Sequence, residues 1–124
     1  MPQRKVVFVV DNDAQTRESV AALLASSGRT VVPFETAEAC LRAFESICPE
    51  CIVSALNLPG MNGTQLIDAL SVRNFAVPVV IVADGDTEPH SPASARDAGA
   101  ATVLQRPFED RELLNALAPV SLGE

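Results

Sequence analysis

Val6-Val7-Phe8-Val9-Val10 is an unbroken run of apolar residues, four of them β-branched. A strand with one wet face alternates polar and apolar residues, whereas a strand buried on both faces does not. The run therefore belongs in a parallel sheet covered by helices on both sides. It ends at Asp11-Asn12-Asp13, where the chain leaves the sheet.

Beyond Ala14 the period changes. Val20, Leu23 and Leu24 share a helical face, Asp13 is placed to cap the start, and Gly28 suits the stop. The same strand-then-helix alternation recurs along the chain. Strands are predicted at Thr30 to Phe34, Cys51 to Ser54, Val79 to Val82 and Ala101 to Gln105. Helices are predicted from about Thr36 to Ser46, Thr64 to Arg73, Pro92 to Ala98 with Ser91 as N-cap, and Glu109 to Ala118. Five βα units with right-handed crossovers make a flavodoxin-like, doubly wound α/β domain of three layers. Residues 1–119 form that domain, and residues 120–124 read as a tail or the start of a linker.

With 124 residues the chain suits one domain. Aromatic content is 4% with no Trp or Tyr, so the core has to be mainly aliphatic. Nine basic against sixteen acidic side chains give 9 − 16 = −7, a charge that repels phosphate backbones and anionic lipid. Direct nucleic-acid binding is not expected. No uninterrupted apolar run exceeds Val20 to Ala25, far short of the ~20 residues of a membrane helix. A soluble, cytoplasmic protein is the expectation. Cys40, Cys48 and Cys51 are read as reduced thiols. Cys48-Pro49-Glu50-Cys51 lies between a helix end and a strand start, not at the helix N-terminus where redox pairs sit. The single His90, in a loop with Asp84, Asp86 and Glu88, is read as solvated surface.

In an open parallel sheet, ligands collect at the carboxyl ends of the strands. There this chain delivers Asp11, Asn12 and Asp13, then Ala55, then Ala83 and Asp84, then Arg106-Pro107. Together with Leu58-Pro59-Gly60-Met61-Asn62-Gly63, Ala98-Gly99-Ala100 and Phe108, this series resembles the response-regulator receiver domain of two-component systems over nearly the whole chain. The resemblance implies an acidic pair holding Mg²⁺, an acceptor Asp ending the third strand, a Ser or Thr ending the fourth, and a Lys before a proline after the fifth.

The sequence departs at all four places, as the pseudo-receiver type does. Ala55 stands at the acceptor position and has no oxygen to form an acyl phosphate. Asn12 replaces the second acid. Asp11, Asp13 and the Asn57 carbonyl are what remains of a metal site, so no cofactor is expected and Mg²⁺ affinity is poor. Ala83 replaces the switch hydroxyl. Arg106 keeps the positive charge of the Lys in a bulkier, forked shape and is free to pair with Asp11 or Asp13, its bond to Pro107 being cis by resemblance. Val103 stands where the family commonly carries an inward-turning aromatic.

The expected function is phosphorylation-independent protein binding in signalling or transcriptional regulation, without enzymatic activity. By resemblance the contact surface is the fourth helix, fifth strand and fifth helix, with Pro92, Ala95, Val103, Arg106 and Phe108, docking an output domain or a second copy. Two alternatives stand beside it: a small-anion or metabolite sensor using the emptied pocket, and an ordinary phosphoacceptor receiver with an engineered Ala55.

Overall fold

The computed structural model describes residues 6–83, 92–106 and 108–122. The expectations for Asp84, Asp86, Glu88, His90, Ser91 and the Arg106-Pro107 bond therefore lie outside the described residues, as does the Pro92 side chain.

Ten elements alternate in order: β1 (Val6–Val10), α1 (Ala14–Ser26), β2 (Thr30–Phe34), α2 (Ala37–Ala43), β3 (Cys51–Ala55), α3 (Gly63–Val72), β4 (Val79–Ala83), α4 (Pro92–Ala98), β5 (Thr102–Gln105) and α5 (Asp110–Leu122). All strand pairs are parallel, in the order β2-β1-β3-β4-β5. This is the expected flavodoxin-like, doubly wound fold.

Strand alternation sorts the core into two layers. Phe8, Val10, Ile52, Val79 and Ile81 point to one face, where they meet Cys40 and Leu41 of α2, Leu66, Ile67 and Leu70 of α3, and Ala95 of α4. Val7, Val9, Val53, Val80 and Val82 point to the other, against Leu24 of α1 and Leu113 and Leu117 of α5. Fully burying one such side chain is worth about 1.5–3 kcal/mol, and together these residues bind five helices to one sheet. Four of the five phenylalanines join in the first layer. The Phe8 ring lies 4.9 Å from that of Phe34 and 5.6 Å from that of Phe44, both edge-on, and Phe44 stacks on Phe75 at 4.6 Å. Phe108 is the exception and packs on the second layer.

Local chemistry sets the helix ends. Thr36 caps α2 by accepting from the Ala39 N–H at 3.1 Å. The helix then tightens into turns at Phe44 to Ser46 and stops three residues short of the expected end. Asn62 and Gln65 cap α3 reciprocally, each side chain accepting from the other's backbone N–H at 2.9 Å. At the C-terminus α5 continues through Pro119 to Leu122, where the sequence suggests a tail. A proline so near a helix end removes one hydrogen bond, while Leu113 and Leu117 hold the preceding turns on the sheet.

Candidate functional site

Parallel register brings the strand ends level. Val10 pairs with Ser54 and Ala55 with Val82, so Asp11, Ala55 and Ala83 follow on one rim of the sheet. The Arg106 N–H donates to the Ala83 carbonyl at 2.8 Å, which sets Arg106 on the same rim. Asp11, Ala55, Ala83 and Arg106 thus lie on one rim of the sheet.

Asp11 is buried, at 7% exposure, and each oxygen of its carboxylate has a partner. Oδ1 accepts the Asp13 N–H at 2.9 Å, and Oδ2 lies 3.3 Å from the Arg106 guanidinium. Of the two acids open to Arg106 in the sequence, Asp11 is the one in contact. The Arg17 guanidinium donates to the Asp11 carbonyl at 2.7 Å and ties α1 to the same corner.

Asn12 and Asp13 are exposed. Asp13 occupies the N-cap position in extended conformation, yet its side chain makes no cap hydrogen bond. Its carboxylate takes the Thr16 hydroxyl instead, and chiefly this holds its pKa below the ordinary carboxylate value. Asn57 is half-buried beyond β3, and its Oδ1 is enclosed without a hydrogen-bond partner. Among the described residues no three His, Cys, Asp or Glu side chains cluster as a metal site would require.

The loop between β3 and α3 is held from α2. Glu38 Oε2 accepts the Met61 N–H at 3.0 Å, across 23 residues of sequence. Gly60, at φ +72°, makes room for it, since a Cβ there would lie 2.8 Å from the same oxygen. The Met61 N–H, followed by the Glu38 N–H, lowers the Glu38 pKa below its ordinary 4.5. A depressed folded-state pKa contributes stability that is full above 4.5 and is lost as pH falls through the folded value. Glu38→Gln should therefore be less stable than the parent at neutral pH, and the gap should close on acidification below 4.5. Urea midpoints taken across that range check it, and a gap independent of pH would refute the clamp.

The surface expected on α4, β5 and α5 needs correction. Ala95 is wholly buried and faces the sheet, its methyl group letting the short helix sit close. Val103 is half-buried against the α2–α4 layer, while Phe108 packs on the α1–α5 layer, so the two lie on opposite faces of the sheet. Arg106 is turned toward Asp11. Among the described side chains of α4, Ala93, Ser94, Arg96 and Asp97 are exposed. Small side chains on a short helix suit close packing to a sheet as well as docking, and here packing accounts for Ala95.

Two of the three cysteines, Cys40 and Cys51, are buried in the core. Burial pushes the Cys40 and Cys51 thiols up to about 12, so neither is a ready thiolate, and Cys48 is exposed.

A groove of about 330 Å³ opens between α1 and α5 beside Arg106. Val20, Leu23, Phe108 and Leu113 form its apolar wall. Val20 and Leu23, which share a helical face with Leu24, pack against the same layer but are only half-buried, while Leu24 is wholly buried. A pattern read along one helix cannot tell how closely a second helix will approach it.

Among the described residues no helix is long and apolar enough to cross a membrane. The sequence matches the response regulator receiver domain family over residues 7–118. The transcriptional regulatory protein FixJ of Azorhizobium caulinodans is 37% identical over 123 residues, covering 99% of this chain and 57% of that protein. The transcriptional regulatory protein TdiR of Thauera aromatica is 38% identical over 112 residues, covering 90% of this chain and 48% of that protein. The chain thus spans about half the length of these curated relatives. Among solved structures, FixJ-N superimposes with a TM-score of 0.88 at 27% identity, covering 99% of this chain and 98% of that one. Sequence and fold agree, and the chain belongs to the response regulator receiver domain family.

Proposed function

We propose that this receiver domain signals by protein contact without accepting a phosphoryl group. The observation that carries the proposal is the methyl group of Ala55 at the end of β3, in the place where the family resemblance puts the acceptor carboxylate. Phosphoryl transfer needs a nucleophilic oxygen at that point, and alanine has none. Ala83, at the end of β4, likewise offers no hydroxyl to a transferred group.

The remaining acid is already committed. Asp11 holds the Asp13 N–H and the Arg106 guanidinium, so binding a cation would break an existing charge-assisted contact. Asn12 is neutral and Asp13 is turned to Thr16. This donor set does not suit Mg²⁺, which is usually held by one or two carboxylates with phosphate oxygens and water. The Asp11–Arg106 contact in turn joins the end of β5 to the end of β1.

Because the chain spans about half of its curated relatives, the natural partner we propose is an output region or second protein docking on the α4–β5–α5 side. The exposed Ala93, Ser94, Arg96 and Asp97 of α4 are the candidate contacts. Like its relatives, named as transcriptional regulators, the chain would act as a regulator and not as an enzyme.

The test is incubation with acetyl phosphate and Mg²⁺ followed by intact-mass measurement, beside a receiver that retains the acceptor Asp. The parent chain is expected to keep its mass while the control gains one phosphoryl group. A stoichiometric adduct on this chain would overturn the proposal.

A further inference from the structure

We propose that Asn62-Gly63 is a latent self-modification site: the capped start of α3 keeps it from cyclising, and an isoaspartyl product formed while that start is open cannot be fitted back. The proposal does not depend on whether the strand-end rim accepts a phosphoryl group.

The chemistry begins in the sequence. Asn62-Gly63 is the only Asn-Gly step in the chain. A glycine after an asparagine leaves its backbone nitrogen unshielded by a side chain, so that nitrogen can attack the asparagine side-chain carbonyl. A bond forms from the Gly63 nitrogen to Asn62 Cγ, the Cγ–Nδ2 bond breaks, and ammonia leaves with the proton that the Gly63 nitrogen gives up. Water then opens the five-membered imide at one of its two carbonyls. Opening at Cγ leaves an aspartyl residue. Opening at the backbone carbonyl leaves an isoaspartyl residue, whose main chain runs through the former side chain and is one methylene longer.

In the folded chain the groups that have to move are held. The Gly63 N–H donates to the Leu56 carbonyl at 2.9 Å, and the Asn62 carbonyl accepts the Leu66 N–H at 2.9 Å. Asn62 Oδ1 accepts the Gln65 N–H, and the Asn62 N–H donates to Gln65 Oε1, both at 2.9 Å. Closing the ring swings Cγ toward the plane of the following peptide, which turns ψ of Asn62 away from its −179°. That turn breaks the bonds to Leu56 and Leu66 together. With Asn62 only 7% exposed, little water is at hand to replace them.

The same packing rejects one product. A Cβ on Gly63 would lie 2.7 Å from the Ala55 carbonyl oxygen, so the start of α3 has no room against β3 for a longer main chain. The added methylene has to lift Gly63 off Leu56 or pull the cap apart. The aspartyl product keeps the original main chain and a side-chain oxygen at the N-cap, a position that Asp fills as well as Asn. Conversion in the folded protein is therefore gated by local opening of the α3 start, and its rate is that of the open chain scaled by the fraction of time spent open.

The test holds the 124-residue chain in two mildly alkaline samples, one native and one unfolded in urea. Peptide mapping by mass follows loss of the Asn62 amide, and an isoaspartyl methyltransferase assay on the same peptide counts the isomer. Asp84-Gly85 can isomerise as well, but without losing ammonia and in a different peptide. Conversion at Asn62 is expected to be at least about tenfold slower in the native sample, in step with the hydrogen-exchange protection of the Gly63 amide. After urea is diluted out, the aspartyl chains should refold, while the isoaspartyl chains should stay unfolded or melt at a lower temperature. The proposal is overturned if Asn62 converts as fast in the native sample as in urea, or if it fails to convert in urea. It is equally overturned if isoaspartyl chains refold to the stability of the aspartyl ones.

Discussion

Phe8→Ala is expected to lower the free energy of unfolding by about 3–5 kcal/mol, the range for truncating a buried phenylalanine. Phe8 is wholly buried in a strand with neighbours on both sides, and its ring is the junction between Phe34 and Phe44. Two edge-on contacts vanish with it, each worth about 0.5–1.5 kcal/mol beyond the buried area. Domains of this kind are stable by only about 5–15 kcal/mol, so the variant sits close to unfolding at room temperature. Urea unfolding followed by far-ultraviolet circular dichroism should show a large fall in midpoint with little change in slope. A loss below about 1 kcal/mol would mean that the aromatic junction is not structural.

Gly63→Ala should be costly for a different reason. The first residue of α3 rests directly on β3, and a Cβ there would lie 2.7 Å from the Ala55 carbonyl oxygen and 3.1 Å from the Leu56 Cα. The end of the Ile81 side chain, at 3.0 Å, has freedom to move, but the backbone of a central strand does not. Relief has to come from lifting α3, which strains the Asn62–Gln65 cap and the Gly63 N–H bond to the Leu56 carbonyl. Overpacking of this kind costs about 1–3 kcal/mol. Thermal unfolding of the variant measures it. A midpoint equal to that of the parent would show that α3 can shift without penalty. Because the contact falls on Ala55 itself, the same glycine is what lets α3 start beside the strand-end rim.

Those two sites also mark how far the sequence could be read. The strands were legible because β-branched runs bounded by turn residues admit few other structures, and β1 and β2 match their expected bounds residue for residue. Asn62 falls in the stretch that reads as loop and Gln65 in the helix expected from Thr64, so their reciprocal cap, an N-cap side chain followed three residues later by Gln, straddles the expected boundary. At the rim, opposite charges on converging strand ends made Arg106 and an acid natural partners. Choosing Asp11 over Asp13 required knowing that Asp13 turns to Thr16. The Glu38 clamp was invisible, because nothing in a helix's first turn announces a loop 23 residues away. Ala95 was misassigned because a short helix of small residues has the same composition whether it faces a partner or its own sheet.

The placement of the phenylalanines also governs how the molecule can be watched. With no Trp and no Tyr, all of its near-ultraviolet signal comes from five phenylalanine rings, and four of them lie together in the layer formed with α2, α3 and α4. An optical transition in that band reports the loosening of one layer and is nearly blind to α1 and α5. Coincidence of that signal with the backbone signal would thus demonstrate that the two layers come apart together, while a tryptophan placed at Phe108 would give the silent layer a reporter of its own.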